Sequence, residues 1–232
     1  MSEKSVFDRI ATTVVAIAAV VVAVSVARRE FFSDGSLEPA KDRAVPSPVR
    51  LSTENWERVL ASGIMLGDSG ASVKVAAFMD FECPACKIYH ERVLPEIMRK
   101  YGKRVALVML HFPLSGHRFA RTASAASECA AEQGRFPSFS DLLFAKQDSI
   151  GLKGWTSYAR ESGVPDTLAF QRCTVARPGA ARIDSGLVLA RDLELNATST
   201  VIVNGWRFFA SPPVVQLSRL IDSLSIGRDP FR

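Results

Sequence analysis

A Cys-Pro-Ala-Cys segment lies where the sequence changes from a strand pattern to a helix pattern. The apolar run before it, residues 73–79, is rich in β-branched and aromatic side chains, which predicts a buried strand. Residues 87–100 carry apolar side chains at helical spacing, with a kink expected at Pro95, and Pro84 suits a first helical turn. The sulfur of Cys83 is therefore expected at the positive end of a helix dipole, where the pKa of a thiol is lowered.

The spacing of these two cysteines permits two kinds of chemistry. Cys-X-X-Cys occurs in dithiol redox centres and also in zinc sites. Zinc ribbons usually carry a second such pair or a His-X-X-X-His motif, and this chain has neither. The sequence therefore favours redox chemistry at Cys83 and Cys86, with a metal site as the alternative.

Near the amino terminus, residues 10–27 form an apolar run of 18 residues that only two threonines and one serine interrupt. As a helix the run is about 27 Å long, close to the ~30 Å hydrocarbon core of a bilayer, which predicts a transmembrane anchor. A cleaved signal peptide is the alternative, because small residues occur near the end of the run. The length of the run and the Arg28-Arg29 pair directly after it favour an uncleaved anchor.

The remaining chain is expected to form a tether and one domain. Residues 28–51 mix charged side chains with prolines and show no periodicity, as tethers do. Residues 52–232 are long enough for one hydrophobic core. Because a four-cysteine redox domain suits an oxidising compartment, residues 1–9 are placed in the cytoplasm and the domain outside it. The chain has a net charge of +5, but it contains no cluster of Lys and Arg with interleaved aromatic residues, so no nucleic-acid partner is expected.

After the cysteine pair, the pattern predicts a strand, a long helical block, a strand hairpin and a closing helix. The helical block is interrupted by glycine and proline loop signals, and the hairpin turns at an Asn-Gly pair. These elements are residues 104–111, about 117–195, 200–203, the turn Asn204-Gly205 with the strand after it, and 213–224.

This order resembles the thioredoxin fold with a helical insertion, an α/β fold. Several motifs are similar to those of DsbA-like thiol:disulfide oxidoreductases, and together they cover about residues 55–225 in the family's order. The similar segments are 78–86 around the cysteine pair, 111–117 at the exit of the second strand, 127–136 and 141–144 in the insertion, and 201–205 at the final hairpin.

The resemblance implies roles for individual residues. Cys83 would be the nucleophile and Cys86 the resolving cysteine, and no cofactor is needed. The other assignments are substrate-binding positions at Pro84, Ala85, Thr198 and Ser199, and a structural disulfide between Cys129 and Cys173. Two buried free thiols are the alternative to that disulfide.

The chain departs from the family pattern at three places. Ser199 stands where relatives carry a cis-proline, and the sequence leaves open whether the Thr198–Ser199 bond is cis. Ala77 stands where many relatives have a buried acid, and Ala85 stands where some relatives have a histidine. We therefore expect Cys83 to be less acidic, and the disulfide less oxidising, than in relatives with Cys-Pro-His-Cys.

Five further polar residues receive no functional assignment at this stage. His90 is considered as a metal ligand beside the cysteine pair, but an ordinary surface histidine is favoured. His111 and His117 are expected to make polar loop contacts, and Asp80 and Asp184 are given no partner.

The resemblance implies a membrane-anchored, extracytoplasmic enzyme that exchanges disulfides with reduced secreted or envelope proteins. Its partner would be a quinone-linked membrane reoxidase, either DsbB-like or similar to vitamin K epoxide reductase. An oxidase is favoured and a reductase stays open. The alternative from another class is a non-enzymatic or metal-binding thioredoxin-fold module, since Ser199 replaces the cis-proline.

Overall fold

The computed structural model describes residues 20–22, 24–25, 47–176, 180–228 and 230–231. Residues 1–9 and most of the expected anchor and tether, residues 10–27 and 28–51, lie outside these ranges. Within them, no helix combines the length and apolar character that a membrane crossing requires.

A single mixed sheet forms the centre of the domain. Its strands are β1 (Val49–Arg50), β2 (Ile64–Leu66), β3 (Val73–Met79), β4 (Val105–His111), β5 (Thr200–Val203) and β6 (Trp206–Arg207). Their order is β1-β6-β5-β3-β4-β2, with β3 parallel to β4 and every other neighbouring pair antiparallel. The edge strand β1 was expected to belong to the tether, but its backbone pairs with β6, so the domain begins a few residues earlier than the pattern indicates.

Helices cover the sheet and form the insertion between β4 and β5. They are α1 (Thr53–Ser62), α2 (Pro84–Ile88), α3 (Leu94–Tyr101), α4 (Ala120–Ala131), α5 (Phe136–Ala145), α6 (Trp155–Glu161), α7 (Thr167–Ala176), α8 (Ala180–Asp192) and α9 (Val214–Ser225). The helices α4 to α8 make up the insertion that the sequence placed at about 117–195.

The helix after the cysteine pair is interrupted earlier than expected. A π-helical turn at Tyr89–Val93 separates α2 from α3, and Pro95 lies in the first turn of α3. Proline lacks a backbone N–H and its ring crowds the preceding turn, so the wider turn directly before it relieves the conflict.

The middle strands are buried on both faces, which explains their continuous apolar sequences. Val75, Ala77 and Met79 point into one hydrophobic cluster, which the insertion helices α4 to α7 extend. Ala76 and Phe78 point into the cluster on the opposite face, where α1 and α8 pack. The side chain of Ala77 is fully buried, so the position at which many DsbA-like proteins carry an acid is part of the apolar core here.

Two helices of the insertion are joined covalently. Cys129 in α4 and Cys173 in α7 form a disulfide with a Cα–Cα separation of 5.8 Å. The bond closes a loop that spans 44 residues.

Candidate active site

The two cysteines lie at the start of α2, directly after β3 and a short loop. Cys83 occupies the N-cap position, and Pro84 is the first helical residue. The amide of Cys83 donates to the carbonyl of Asp80 at 3.1 Å, and the amide of Lys87 donates to the carbonyl of Cys83 at 3.1 Å. Cys83 is 7% exposed and Cys86 is fully buried, and the two sulfurs are not bonded to each other.

Their surroundings separate the two thiols chemically. The largest influence on the pKa of Cys83 is the hydrogen bond that the Cys86 thiol donates to its sulfur. Together with hydrogen bonds from Thr198 and from the backbone of residues 85 and 86, this bond outweighs the effect of burial and lowers the pKa of Cys83 to about 5. The same bond, in which Cys86 is the donor, combines with burial to raise the pKa of Cys86 far above its ordinary value. At neutral pH the site therefore holds one thiolate and one thiol.

The loop before β5 lies against the nucleophile. The sulfur of Cys83 is 3.5 Å from the carbonyl oxygen of Thr198, and the Thr198–Ser199 peptide bond is cis. Ser199, which is 8% exposed, has its hydroxyl 2.6 Å from the hydroxyl of Ser211. The hydroxyl of Ser211 also donates to the carbonyl of Ser199, so a second serine holds this loop. Pro84 and Ala85, which follow Cys83 in the chain, are exposed.

Asp80, for which no partner was expected, connects the cysteine loop to the segment after β4. Its carboxylate is fully buried and accepts hydrogen bonds from the amides of Glu82 at 2.7 Å and Leu114 at 2.8 Å. The same carboxylate lies 2.7 Å from Nδ1 of His117. The amide of Asp80 donates to the sulfur of Cys86 at 3.4 Å.

His117 lies at the solvent side of this carboxylate, with 28% of its side chain exposed. Burial of the ring lowers its pKa, but the hydrogen bond and charge of Asp80, with the charges of Cys83 and Glu82, outweigh burial and raise it. The expected polar loop contact of His117 is therefore a contact with the active-site segment.

Gln147 connects the insertion to the same segment. Its amide nitrogen donates to the carbonyl of Phe81 at 2.8 Å and to the carbonyl of Cys83 at 3.0 Å. The sequence contains no local signal for this contact, because Gln147 lies far along the chain in an otherwise ordinary turn between α5 and α6.

The other two histidines pair with carboxylates. Nε2 of His90 lies 2.7 Å from Asp141, and Nε2 of His111 lies 2.7 Å from the buried Glu128. Asp184, which also lacked a partner, pairs with an arginine of α4 at 2.6 Å. In the ranges that the structure describes, no group of three or more His, Cys, Asp or Glu side chains is arranged to hold a metal ion.

Similar proteins identify the family. The family model described as thioredoxin matches residues 60–223. A segment of the Na⁺/H⁺ antiporter NhaA 3 of Salinispora tropica is 34% identical over 158 residues, which cover 68% of this chain and 24% of that protein. The chain thus spans about a quarter of the length of this relative.

Solved structures show the same fold at lower sequence identity. Oxidised BdbD from Bacillus subtilis has a TM-score of 0.66 and 19% identity, with 79% of this chain and 98% of that chain covered. Wolbachia pipientis α-DsbA1 has a TM-score of 0.63 and 22% identity, with 74% and 96% covered. The chain therefore belongs to the thioredoxin family and has the DsbA-like form of its fold, with a helical insertion.

Proposed function

We propose that this protein is a thiol:disulfide oxidoreductase in which Cys83 is the nucleophile and Cys86 the resolving cysteine. The observation that carries the proposal is the difference between the two sulfurs. Cys83 is partly accessible with a pKa lowered to about 5, whereas Cys86 is fully buried and its thiol stays protonated. Only Cys83 is therefore placed and ionised for exchange with another protein.

The reaction consists of two thiol–disulfide exchanges. A substrate thiolate attacks the Cys83 sulfur of the Cys83–Cys86 disulfide, an intermolecular disulfide forms, and Cys86 leaves with the electron pair and takes up a proton. A second substrate thiolate then attacks the substrate sulfur of this mixed disulfide, and Cys83 leaves as a thiolate. The substrate loses two electrons and gains one disulfide, and the enzyme is left with two reduced cysteines.

The acidity of Cys83 favours oxidation of substrates over reduction. A good leaving thiolate stabilises the reduced enzyme and makes its disulfide more oxidising. A pKa of about 5 lies between the ~3.5 of DsbA and the ~7 of thioredoxin, so we expect a reduction potential between about −120 and −270 mV. A quinone-linked membrane protein, DsbB-like or similar to vitamin K epoxide reductase, would accept the two electrons from the reduced pair.

The substrates that fit this site are extended segments of reduced secreted or envelope proteins. Thr198 and Ser199 offer backbone groups beside the Cys83 sulfur, and Pro84 and Ala85, which follow Cys83 in the chain, are exposed. Because these contacts are made by the backbone and small side chains, we expect little preference for particular substrate residues.

We also propose that residues 10–27 anchor the protein, with residues 1–9 in the cytoplasm and the domain outside. The apolar run supports the anchor, and the disulfide between Cys129 and Cys173 supports an oxidising compartment. Residues 28 to about 48 would then be the tether between the membrane and β1.

Trapping of mixed disulfides tests the proposed function. In Cys86→Ala the Cys83 thiolate can still attack a disulfide of an envelope protein and displace one of its sulfurs as a thiolate, and because the resolving sulfur is absent the resulting mixed disulfide has no intramolecular route of release. We expect this variant to accumulate disulfide-linked adducts with envelope proteins in cells, detected on non-reducing gels and mapped to Cys83 by mass spectrometry.

The double variant Cys83→Ala/Cys86→Ala is the control and should form no adducts. Absence of Cys83-linked adducts in Cys86→Ala, together with a wild-type pair that does not equilibrate with glutathione, would instead support a non-enzymatic module.

A further inference from the structure

The segment that follows β4 is fixed to the cysteine loop by several hydrogen bonds. The amide of Leu114 and Nδ1 of His117 both contact the buried carboxylate of Asp80. Two residues later, the amide of Phe119 donates to the side chain of Glu82. These contacts hold the His117 ring in one position relative to the loop that begins α2.

The same carboxylate belongs to a residue that contacts both cysteines. The carbonyl of Asp80 accepts from the amide of Cys83, and its amide donates to the sulfur of Cys86. The hydrogen bonds of Asp80 therefore link both cysteines to His117.

The charges around His117 are unequally distributed. Asp80, Glu82 and Cys83 act on the ring with negative charge, and each raises its pKa. Arg121 and Arg191 line the same cavity of about 650 Å³ as His117, and positive charges there would favour the neutral form of the ring. Arg121 forms an ion pair with Asp184 at 2.6 Å.

We propose that His117 in its protonated form is the electrostatic partner of the Cys83 thiolate, and that Asp80 is the positioning residue that keeps His117 in place. This inference rests on the proposed function. The protonated His117 supplies the positive charge that Ala85, within the Cys-X-X-Cys segment, does not provide. The charge stabilises the reduced, thiolate form of the enzyme and not the disulfide, and so it makes the disulfide a stronger oxidant.

The pH dependence has a definite direction. Below the raised pKa of His117 the ring is charged and adds to the stabilisation of the Cys83 thiolate; above it the ring is neutral and this addition is lost. By reciprocity, removal of the Cys83 thiolate should lower the pKa of His117.

The test is the ionisation of Cys83 in the full-length chain in detergent, followed by thiolate absorbance at 240 nm. We expect His117→Gln to weaken the acid dissociation of Cys83 roughly threefold to tenfold, as the loss of one positive charge that solvent partly screens implies. His117→Lys should recover at least half of this loss, because it restores the charge but not the imidazole. A purely structural role of His117 predicts no recovery by lysine.

His90→Gln is the matched control. His90 also lies 2.7 Å from an aspartate, Asp141, but that carboxylate is largely exposed. We expect the Cys83 titration to be unchanged in this variant. Equal effects of His90→Gln and His117→Gln, or no effect of His117→Gln, would overturn the proposal.

A second measurement does not depend on the folding of any His117 variant. The His117 titration is followed by NMR in the reduced wild type and in Cys83→Ser, and the midpoint should fall in the serine variant. An unchanged midpoint would contradict the proposal. Both titrations need no substrate, so their outcome is separate from the adduct test of the proposed function.

Discussion

At the scale of single residues, the site depends on two identical side chains that have opposite acidity. Cys83 occupies a helix N-cap and accepts a hydrogen bond from Cys86, so its thiolate is stabilised. Cys86 is fully buried and donates that bond, so its thiol is stabilised. The same short segment therefore provides a nucleophile and a resolving thiol that is held protonated until it is needed.

The lowered pKa of Cys83 makes the stability of the reduced protein dependent on pH. In the unfolded chain a cysteine has a pKa of about 8.5, so the thiolate of the folded state contributes stability that is present at pH 8.5 and lost as the pH falls through about 5. Between pH 5 and 8 we expect the reduced form to gain stability, relative to the disulfide form, as the pH rises. Urea unfolding of both forms at a series of pH values checks this.

The reduced Cys83→Ser variant, with the Cys129–Cys173 bond intact, is the control for this titration and should show no such gain. Above pH 8.5 the raised pKa of Cys86 acts in the opposite direction, so the comparison is confined to lower pH. A difference between the two redox forms that does not change from pH 5 to 8 would contradict the lowered pKa of Cys83.

The residues that could be predicted are those that a local pattern identifies. Cys83, Cys86 and Pro84 follow from a strand, a short motif and a helix in sequence. Asp80 and His117 could not be paired in advance, because they come from the ends of two different strands and meet only when β3 and β4 lie side by side. The substitution of the buried acid by Ala77 was visible in the sequence, whereas the nearby buried Asp80 was not recognised as a connecting residue.

At the scale of elements, the insertion both covers the sheet and holds the active-site loop. The disulfide between α4 and α7 closes a 44-residue loop, which by chain entropy is worth about 4 kcal/mol in an oxidising compartment. The turn after α5 brings Gln147 to the carbonyls of Phe81 and Cys83. The helical insertion is therefore part of the support of the reactive cysteine.

Truncation of Gln147 should affect both stability and reactivity. In Gln147→Ala the carbonyl of Phe81 loses its side-chain donor and the carbonyl of Cys83 keeps only the amide of Lys87, so we expect the free energy of unfolding to fall by about 1–2 kcal/mol. Because the Cys83 backbone loses a contact that positions it, the rate of thiol–disulfide exchange with a glutathione-oxidised peptide should also fall, which stopped-flow fluorescence measures.

Gln133→Ala provides a matched control within the insertion. The side chain of Gln133 also makes two hydrogen bonds to backbone groups, both of them to Asp166 and away from the cysteines. The variant Gln133→Ala should have a lower free energy of unfolding and an unchanged rate of thiol–disulfide exchange. If the two variants lose exchange rate equally, the contact of Gln147 with the cysteine loop has no specific role.

At the scale of the whole molecule, the order of elements from β3 onward was predictable, whereas the edge strands β1 and β2 and the joining of distant segments were not. Strands β3, β4 and β5, the Asn-Gly hairpin and the closing helix follow from hydrophobic periodicity and turn residues. The pairing of β1 with β6 could not be predicted, because two residues on a sheet edge carry no periodicity. The contacts of Asp80 and Gln147 could not be predicted either, because no local sequence pattern indicates them.

The proposed anchor predicts the distribution of the protein in cells. We expect the full-length chain to remain in the membrane fraction after alkaline carbonate extraction, since an apolar run of 18 residues would be long enough to cross the bilayer as a helix. A chain in which Val14, Ile17 and Val21 are each replaced by Asp should be released. A carbonate-soluble wild-type protein with a processed amino terminus would instead indicate a cleaved signal peptide.

The antiparallel pairing of β3 with β5 sets the time at which the protein becomes reactive during its own synthesis. Ala77 in the first half of the domain pairs with Val201 near its end, and Thr198 reaches Cys83 only through that pairing. Residues so distant in sequence can pair only after the chain between them has been synthesised. A nascent chain that still lacks the final hairpin therefore carries Cys83 without its partner loop, and its full nucleophilicity arises only when the last strands have been added to the sheet.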